Sequence, residues 1–456
     1  VLYTPHEYQK KGIKFGLGQA AAGFFLDPGL GKTSIMYAIF KVLKVQGMVN
    51  RMLVVAPLRP ALSVWPGEQE KWDDFQGLVV KVLHRVGKAH LLDPLADVHV
   101  INPEGLPWLL ATLKKTKIFP WEMLVVDEST RFKHTNTQRF KNLKEILPKF
   151  QRRYILTGSP APNGLLDLFG QIYILDGGAA LGRVITHYRM NYFDNPDKLG
   201  WQWVPRKGAP EVIYEKLRPL VLRMEAKDYL ELPELINNTV EVTLPARAKK
   251  VYDQMESTLL AAVDDNLVVA ANAAAATSKC RQIANGGIYH GDGKEWTDIH
   301  DQKIGTVAEI VEELQGKPCL VAYEFDHDLA RLRTVFPEAP HIGGGVSANR
   351  FREIERSWNA GEIPVLLAQP QSVAHGLNLQ GTGATIIWHS LTWNLEDYDQ
   401  FIRRVWRQGQ KERVVVHHIV AKDTVDEAIM KLLLKKDKTQ RALLDALKEY
   451  VAKERS

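Results

Sequence analysis

Leu26-Asp27-Pro28-Gly29-Leu30-Gly31-Lys32-Thr33 is the stretch on which the reading of the chain turns. It follows an apolar run, Phe24–Leu26, that predicts a buried strand, and it leads into Ser34–Val45, whose pattern predicts a helix. Two glycines between strand and helix allow backbone N–H groups to close around phosphate oxygens at a helix N-terminus. Lys32 can neutralise the β- and γ-phosphates, and the Thr33 hydroxyl can ligate Mg2+. The strict form of this loop has Gly six positions before the Lys, where Leu26 stands. Alone, the stretch also reads as an ordinary glycine turn that opens a helix.

Outward from this loop, β-branched runs alternate with helical patterns. Met52–Ala56, Val79–Leu83, Val98–Ile101, Met123–Val126 and Tyr154–Leu156 read as strands, and Phe140–Leu147 as a helix. Such alternation predicts an α/β fold with a parallel sheet covered by helices, its ligands at the C-terminal edge. From Gly177 to about Pro233 aromatics, prolines and basic residues break the rhythm. The alternation then resumes, with strands at Cys319–Ala322, Val365–Ala368, Thr385–Trp388 and Val414–Ile419 and helices at 324–335, 347–359, 394–408 and 424–450. The predicted organisation is a first lobe over 1–225 with an insertion at about 177–225, and a linker over 226–244. A second lobe follows over 245–456, with a helical insertion at about 245–300 and a C-terminal helix at about 424–454.

The 456 residues suit two to four domains at roughly 100–200 residues each. A 45% hydrophobic and 25% charged composition excludes a disordered or low-complexity chain. Two cysteines, Cys280 and Cys319, exclude a disulfide framework and a zinc ribbon, and fit a reducing cytoplasm. No apolar run reaches the roughly 18–20 residues of a membrane helix, and no leader-like segment opens the chain, so a cytoplasmic protein is expected, in a bacterial host cell if phage-encoded. The net charge of +6 tilts toward a polyanionic partner. Lys431–Arg455 reads as an amphipathic helix with a solvated basic face.

Three further stretches carry chemistry. Met123-Leu124-Val125-Val126-Asp127-Glu128-Ser129-Thr130 is an apolar strand that ends in two carboxylates. In a nucleotide hydrolase, Asp127 holds Mg2+ and Glu128 polarises the attacking water. Asp-Glu pairs also start helices, but this pair ends a strand downstream of a phosphate loop. Leu156-Thr157-Gly158-Ser159-Pro160-Ala161-Pro162 closes another strand with small hydroxyls that can sense a γ-phosphate, or is a plain strand turn. Gln400-Phe401-Ile402-Arg403-Arg404-Val405-Trp406-Arg407-Gln408-Gly409-Gln410 predicts a helix with Arg403 and Arg407 on one face and Arg404 and Arg407 three apart. Arginines there can stabilise charge on a transferring phosphate or form a solvated basic face.

In this order, the motifs resemble a superfamily-two helicase core, and more closely the switch/sucrose-non-fermenting type of DNA translocase in its short phage and bacterial form. The resemblance covers almost the whole chain. Tyr8-Gln9 resembles the adenine-reading Gln motif, and Val55-Ala56-Pro57-Leu58-Arg59, with Trp65 and Trp72 after it, motif Ia. Asp127-Glu128-Ser129-Thr130 with Arg131-Phe132-Lys133 resembles motif II, and Thr157-Gly158-Ser159-Pro160 motif III. Ser278-Lys279-Cys280-Arg281-Gln282-Ile283 resembles the segment before the second lobe, His375-Gly376-Leu377-Asn378-Leu379 motif V, Trp393-Asn394 the segment after it, and Gln400–Gln410 motif VI.

The resemblance implies two RecA-like lobes with ATP in the cleft between them. Gln9 would read adenine. Gly29, Leu30, Gly31, Lys32, Thr33 and Ser34 would hold the nucleotide, and Thr33 and Asp127 the Mg2+. Lys32, Asp127 and Glu128 would serve hydrolysis, with Arg404 and Arg407 as finger arginines. Three departures stand out: Arg403 where an acidic residue is usual, Trp406 where His is usual, and a motif II that ends Ser-Thr instead of Ala-His.

The expected function is therefore an ATP-dependent motor on duplex DNA. Alternatives are a helicase that separates DNA strands or acts on RNA, and an ATP-switched clamp on DNA or a protein with little turnover. Single-stranded DNA is the second candidate track, and an unidentified protein partner is compatible with the chain; no membrane partner is expected. Arg59, Lys133 and Ser372 are candidate nucleic-acid contacts or plain surface residues, and Trp201 and Trp203 either stack on bases or form a small satellite core.

Overall fold

The computed structural model describes residues 1–84, 92–161, 164–195, 203–229, 232–264, 269–290, 295–373, 379, 381–407 and 409–435. The chain divides into two compact units, Val1–Leu230 and Glu231–Ser456. Both are α/β, each built on a parallel sheet.

In the first unit the strands are β1 (Ala21–Leu26), β2 (Met52–Val55), β3 (Val80–Val82), β4 (Val98–Ile101), β5 (Met123–Asp127), β6 (Arg152–Thr157), a small antiparallel hairpin of β7 (Phe193–Asp194) and β8 (Val204–Pro205), and β9 (Val221–Met224). The main sheet has the order β3-β4-β2-β5-β6-β1-β9, with every pairing parallel. Its central strands are apolar and buried along their length, as a sheet covered on both faces requires. Phe24 pairs with Leu156 and Asp127 with the same Leu156, so β5, β6 and β1 end level with one another.

The stretch 177–225 is less of an insertion than its sequence suggests. It holds the helices Ile185–Tyr192 and Ala209–Leu217 and the hairpin, but ends in β9, a member of the main sheet that pairs Val221 with Gly23. As an edge strand β9 is only partly buried and includes an exposed Arg223, so it lacks the continuous apolar run of the inner strands. Trp203 packs against the first unit's core, with the Arg189 guanidinium 5.3 Å from its ring centre. Trp201 lies outside the described residues.

In the second unit β10 (Leu235–Val242), the hairpin β11 (Gly287–Tyr289) and β12 (Trp296–Asp298), β13 (Cys319–Ala322), β14 (His341–Ile342), β15 (Val365–Ala368), β16 (Thr385–Trp388) and β17 (Val414–Ala421) follow in turn. The main sheet has the order β10-β17-β16-β13-β15-β14, again wholly parallel. The stretch 226–244 is thus not simply a linker: β10 runs beside β17 for eight residues, from Leu235 opposite Val414 to Val242 opposite Ala421. The predicted helical stretch at 245–300 holds Ala246–Asp264 and Val269–Asn285 but closes with the β11–β12 hairpin. The C-terminal helix is described over Val425–Lys435, and its predicted continuation lies outside the described residues. Among the described residues, no helix is long and apolar enough to cross a membrane.

Candidate nucleotide site

The glycine loop joins β1 to the helix Lys32–Val45. Gly29 and Gly31 take φ values of +92° and +72°, a region that costs an L side chain roughly 1–2 kcal/mol. Gly31 is also hemmed in, since a Cβ there would lie 2.3 Å from Nε2 of Gln9 and 3.0 Å from Oγ of Ser34. Gln9 is buried near the start of the helix Glu7–Leu17, where its Oε1 accepts the His6 N–H at 2.9 Å and its Nε2 donates to the Leu30 carbonyl at 3.5 Å. The Gln motif and the glycine loop, 21 residues apart, are therefore one piece of structure. Ser34 donates to the Gly31 carbonyl at 3.1 Å, and Lys32 arches over the loop to donate to the carbonyls of Leu26 at 2.8 Å and Asp27 at 3.5 Å. Thr33 is half-buried in the first helical turn.

Asp127 ends β5, two strands from the loop-bearing β1 in the run β5-β6-β1. Its carboxyl is buried, and burial first, then the charge of Glu128, pushes its pKa up to about 6. Three groups oppose that rise: the Trp65 indole N–H, which donates to Oδ2 at 3.1 Å, the charge of Lys32, and the Glu128 N–H, which donates to Oδ1 at 3.0 Å. Trp65 is itself fully buried and held by the helix Lys32–Val45, where the Tyr37 hydroxyl donates to its carbonyl at 2.8 Å. Glu128 sits at φ +48°, a left-handed conformation for a residue with a side chain, where the chain turns sharply from β5 into the 3-10 turn Ser129–Phe132. Such strain is concentrated at functional sites.

The third loop completes the edge. A Cβ on Gly158 would lie 2.9 Å from the Pro28 ring, so the turn after β6 packs directly on the glycine loop. Thr157 is fully buried, and its hydroxyl accepts the Ser159 N–H at 3.1 Å. One link escaped sequence reading: Asp27 Oδ2 accepts the Ala226 N–H at 3.0 Å, which ties the loop to the chain leaving β9. The signal was a carboxylate inside the loop with no chemical task.

The donor set suits Mg2+. Among the described residues no group of three or more His, Cys, Asp or Glu could hold a metal ion. Mg2+ is characteristically bound by one or two protein oxygens, with phosphates and water for the rest, and the Thr33 hydroxyl and Asp127 carboxylate are hard oxygens of that kind.

Arg404 and Arg407 belong to the second unit. The helix there runs Leu395–Val405, opened by Asn394, whose Oδ1 accepts the N–H groups of Glu396 and Asp397. It stops three residues short of the predicted 394–408, so Arg407 lies beyond it and the expected i, i+4 face with Arg403 does not form. Trp406 causes the break: it leaves helical geometry at ψ 85°, and its indole N–H donates to the Pro233 carbonyl at 2.7 Å. Both Arg404 and Arg407 are half-buried, and the Arg404 carbonyl accepts the Leu379 N–H at 3.2 Å. His375 to Asn378 of motif V lie outside the described residues. Of the candidate nucleic-acid contacts, Arg59 is half-buried in the short helix Leu58–Leu62, where burial lowers its pKa. Lys133 is ion-paired with buried Asp167 at 3.3 Å, and Ser372 sits in the short helix Pro370–Val373 with its hydroxyl 3.5 Å from Gln369 Oε1.

A phosphate-type loop, an Asp-Glu pair and a small-residue loop on adjacent parallel strands, with a second α/β unit behind them in sequence, define a helicase-like ATPase core. The SNF2-related domain matches residues 8–286 and the helicase conserved C-terminal domain matches residues 302–409. The chain belongs to the SNF2-related family. It is 37% identical over 463 residues to protein p41 of Acyrthosiphon pisum secondary endosymbiont phage 1, covering 98% of this chain and 99% of that one. It is 23% identical over 482 residues to the DNA repair and recombination protein RAD54 of Oryza sativa subsp. japonica, covering 91% of this chain and 48% of that one. Several cellular relatives are longer, and the chain spans between 36% and 54% of their length. The Sulfolobus solfataricus SWI2/SNF2 ATPase core in complex with dsDNA shares 24% identity at a TM-score of 0.47, over 95% of this chain and 91% of that one.

Proposed function

We propose that the chain is an ATP-driven motor that tracks along duplex DNA. The observation that carries this reading is the convergence, at one edge of the first sheet, of the 27–33 loop, Asp127-Glu128 and Thr157-Gly158 on the adjacent strands β1, β5 and β6. Lys32 and the loop N–H groups hold the phosphates, and Gln9 reads the base. Thr33 and Asp127 would hold Mg2+, which would supply charge neutralisation on the phosphates. Glu128 accepts a proton from water as its oxygen bonds to the γ-phosphorus and the bridging oxygen leaves with ADP. Arg404 and Arg407 stabilise the charge that builds on the transferring group.

Duplex DNA is the favoured track because the family likeness includes a protein of DNA repair and recombination. Tracking must ignore sequence, so the grip falls on phosphates. Arg59 and Ser372 are candidates for that grip. Lys133 is the weakest of the three, since its charge is already matched by Asp167.

The test is steady-state ATP hydrolysis at one fixed salt, without nucleic acid and with duplex DNA, single-stranded DNA or RNA, and Lys32→Ala as blank. Stimulation chiefly by duplex, rising with its length, is expected. Stimulation only by single strands or RNA would move the reading to a helicase, and ATP-dependent DNA affinity with little turnover to a clamp. Normal hydrolysis by Lys32→Ala would overturn the site itself.

A further inference from the structure

The helix Leu168–Asp176 is apolar along nearly its whole length, yet Gln171 sits fully buried in the middle of it. A buried amide is costly unless it is bonded at both ends, and this one is. Its Oε1 accepts the Ser129 hydroxyl at 2.7 Å. Its Nε2 donates to the Pro160 carbonyl at 2.5 Å and to the Asp167 carbonyl, one turn back, at 2.8 Å. Ser129 is the residue after Glu128, and Pro160 follows Ser159 in the loop that closes β6. One side chain thus spans the turns at the ends of β5 and β6.

The helix is seated to hold that span. Gly170 lies so close to the Ser129–Phe132 turn that a Cβ would come 2.2 Å from the Phe132 carbonyl oxygen and 2.7 Å from that of Lys133. The Lys133–Asp167 ion pair, at 3.3 Å and mostly buried, clamps the same two pieces a second time. A Leu or Met at 171 would fill the space without any of these bonds, so packing alone does not account for the glutamine. The Ser-Thr ending of motif II also gains a purpose, because an alanine at 129 could not donate to Gln171.

We propose that Gln171 is a positioning residue that couples the carboxylate turn after β5 to the Thr157–Pro160 loop, so that a shift of Glu128 with the state of the γ-phosphate is carried through Ser129 and Gln171 to Pro160. This rests on the nucleotide-site reading above. Movement of the third loop, which packs on Pro28, then reports hydrolysis to the rest of the motor.

Gln171→Met keeps the volume and removes the bonds, and Ser129→Ala removes one end only. On the full chain, amide hydrogen exchange over 157–161 is measured with and without MgADP and MgATP, beside ATP hydrolysis with and without duplex DNA. In the wild type, nucleotide changes exchange over 157–161. In Gln171→Met that response is lost and stimulation by DNA falls roughly two- to thirtyfold, while nucleotide still binds and unstimulated hydrolysis persists. Ser129→Ala does the same, and the double variant is no worse than either, because both remove one interaction. Should Gln171→Met fail to fold, Ser129→Ala carries the test. An equal nucleotide response in wild type and folded variants overturns the bridge and leaves the nucleotide site standing. A wild type that hydrolyses ATP without stimulation by DNA overturns the motor reading, and the exchange response then decides the bridge alone. A wild type that hydrolyses no ATP removes both.

Discussion

A methyl group on Gly31 would meet two problems at once, a φ of +72° and the Gln9 amide 2.3 Å away. Gly31→Ala therefore strains the loop by roughly 1–2 kcal/mol and displaces Gln9. The expected result is ATP affinity weakened roughly five- to thirtyfold with the circular dichroism spectrum unchanged, read by titration with a fluorescent ATP analogue. An unchanged affinity would mean that Gln9 and the loop do not share a ligand. Arg407 lies past its helix, where the Trp406 indole, bonded to Pro233, sets the path of the chain. Arg407→Ala is expected to bind nucleotide normally but hydrolyse it more slowly, by at most roughly 10³–10⁵-fold, in single-turnover measurements. At this scale the candidate nucleotide site was legible because its residues are adjacent in sequence: 26–33, 127–128 and 157–160. Gln171 was not, because its partners lie 11 and 42 positions away and its surroundings read as plain apolar helix.

Among elements, the fully buried strands announce themselves by continuous apolar runs, as at Met52–Val55 and Cys319–Ala322. The edge strands β9 and β10 do not. Half of each faces out, so Arg223 in one and Asn237 and Asn238 in the other break the pattern that marks a strand. The ends of helices are hidden for another reason: the helix Leu395–Val405 stops where the Trp406 indole finds the carbonyl of Pro233, 173 residues away in sequence. Helix docking in the second unit also uses buried charge. Lys303, from the helix Gln302–Glu313, pairs with Asp426 of the helix Val425–Lys435 at 2.6 Å, with both side chains buried, and donates to Asn285 Oδ1 at 2.9 Å. Lys303→Met leaves Asp426 with no counter-ion and is expected to destabilise the second unit by roughly 3–5 kcal/mol in urea unfolding. Adding Asp426→Leu should recover most of that loss. A single variant with wild-type stability would show that the pair is dispensable.

For the molecule as a whole, three buried histidines make stability sensitive to acid. Burial lowers His300 and His418 to about 4 and His389 to about 3, all within the second unit. Unfolded, each would take up a proton near pH 6.5. Between about 6.5 and 4 these histidines therefore bind more protons in the unfolded chain than in the folded one, so their contribution to stability falls as pH drops through that window, and for His389 down to about 3. Asp127 and Asp397, raised to about 6, take up protons first in the folded chain and oppose the loss. His300, whose ring nitrogen lies 2.9 Å from the Ile283 carbonyl, accounts for up to roughly 3 kcal/mol of this. Unfolding midpoints between pH 7 and 4 should fall more steeply for the wild type than for His300→Gln, and parallel curves would exclude this histidine as a source. The pairing of β10 with β17 has a consequence for how the molecule is made. Asn238 and His417 meet across 179 residues, so the first strand of the second sheet leaves the ribosome long before the strand it pairs with exists. At roughly 5–20 residues per second the wait is on the order of 10–40 s. During it, Leu235–Val242 is an open edge able to pair with a stranger, and Asn237, Asn238 and Glu241 are the kind of residues that discourage it. The same polar positions that hid this strand from the eye serve as its guard in a nascent chain.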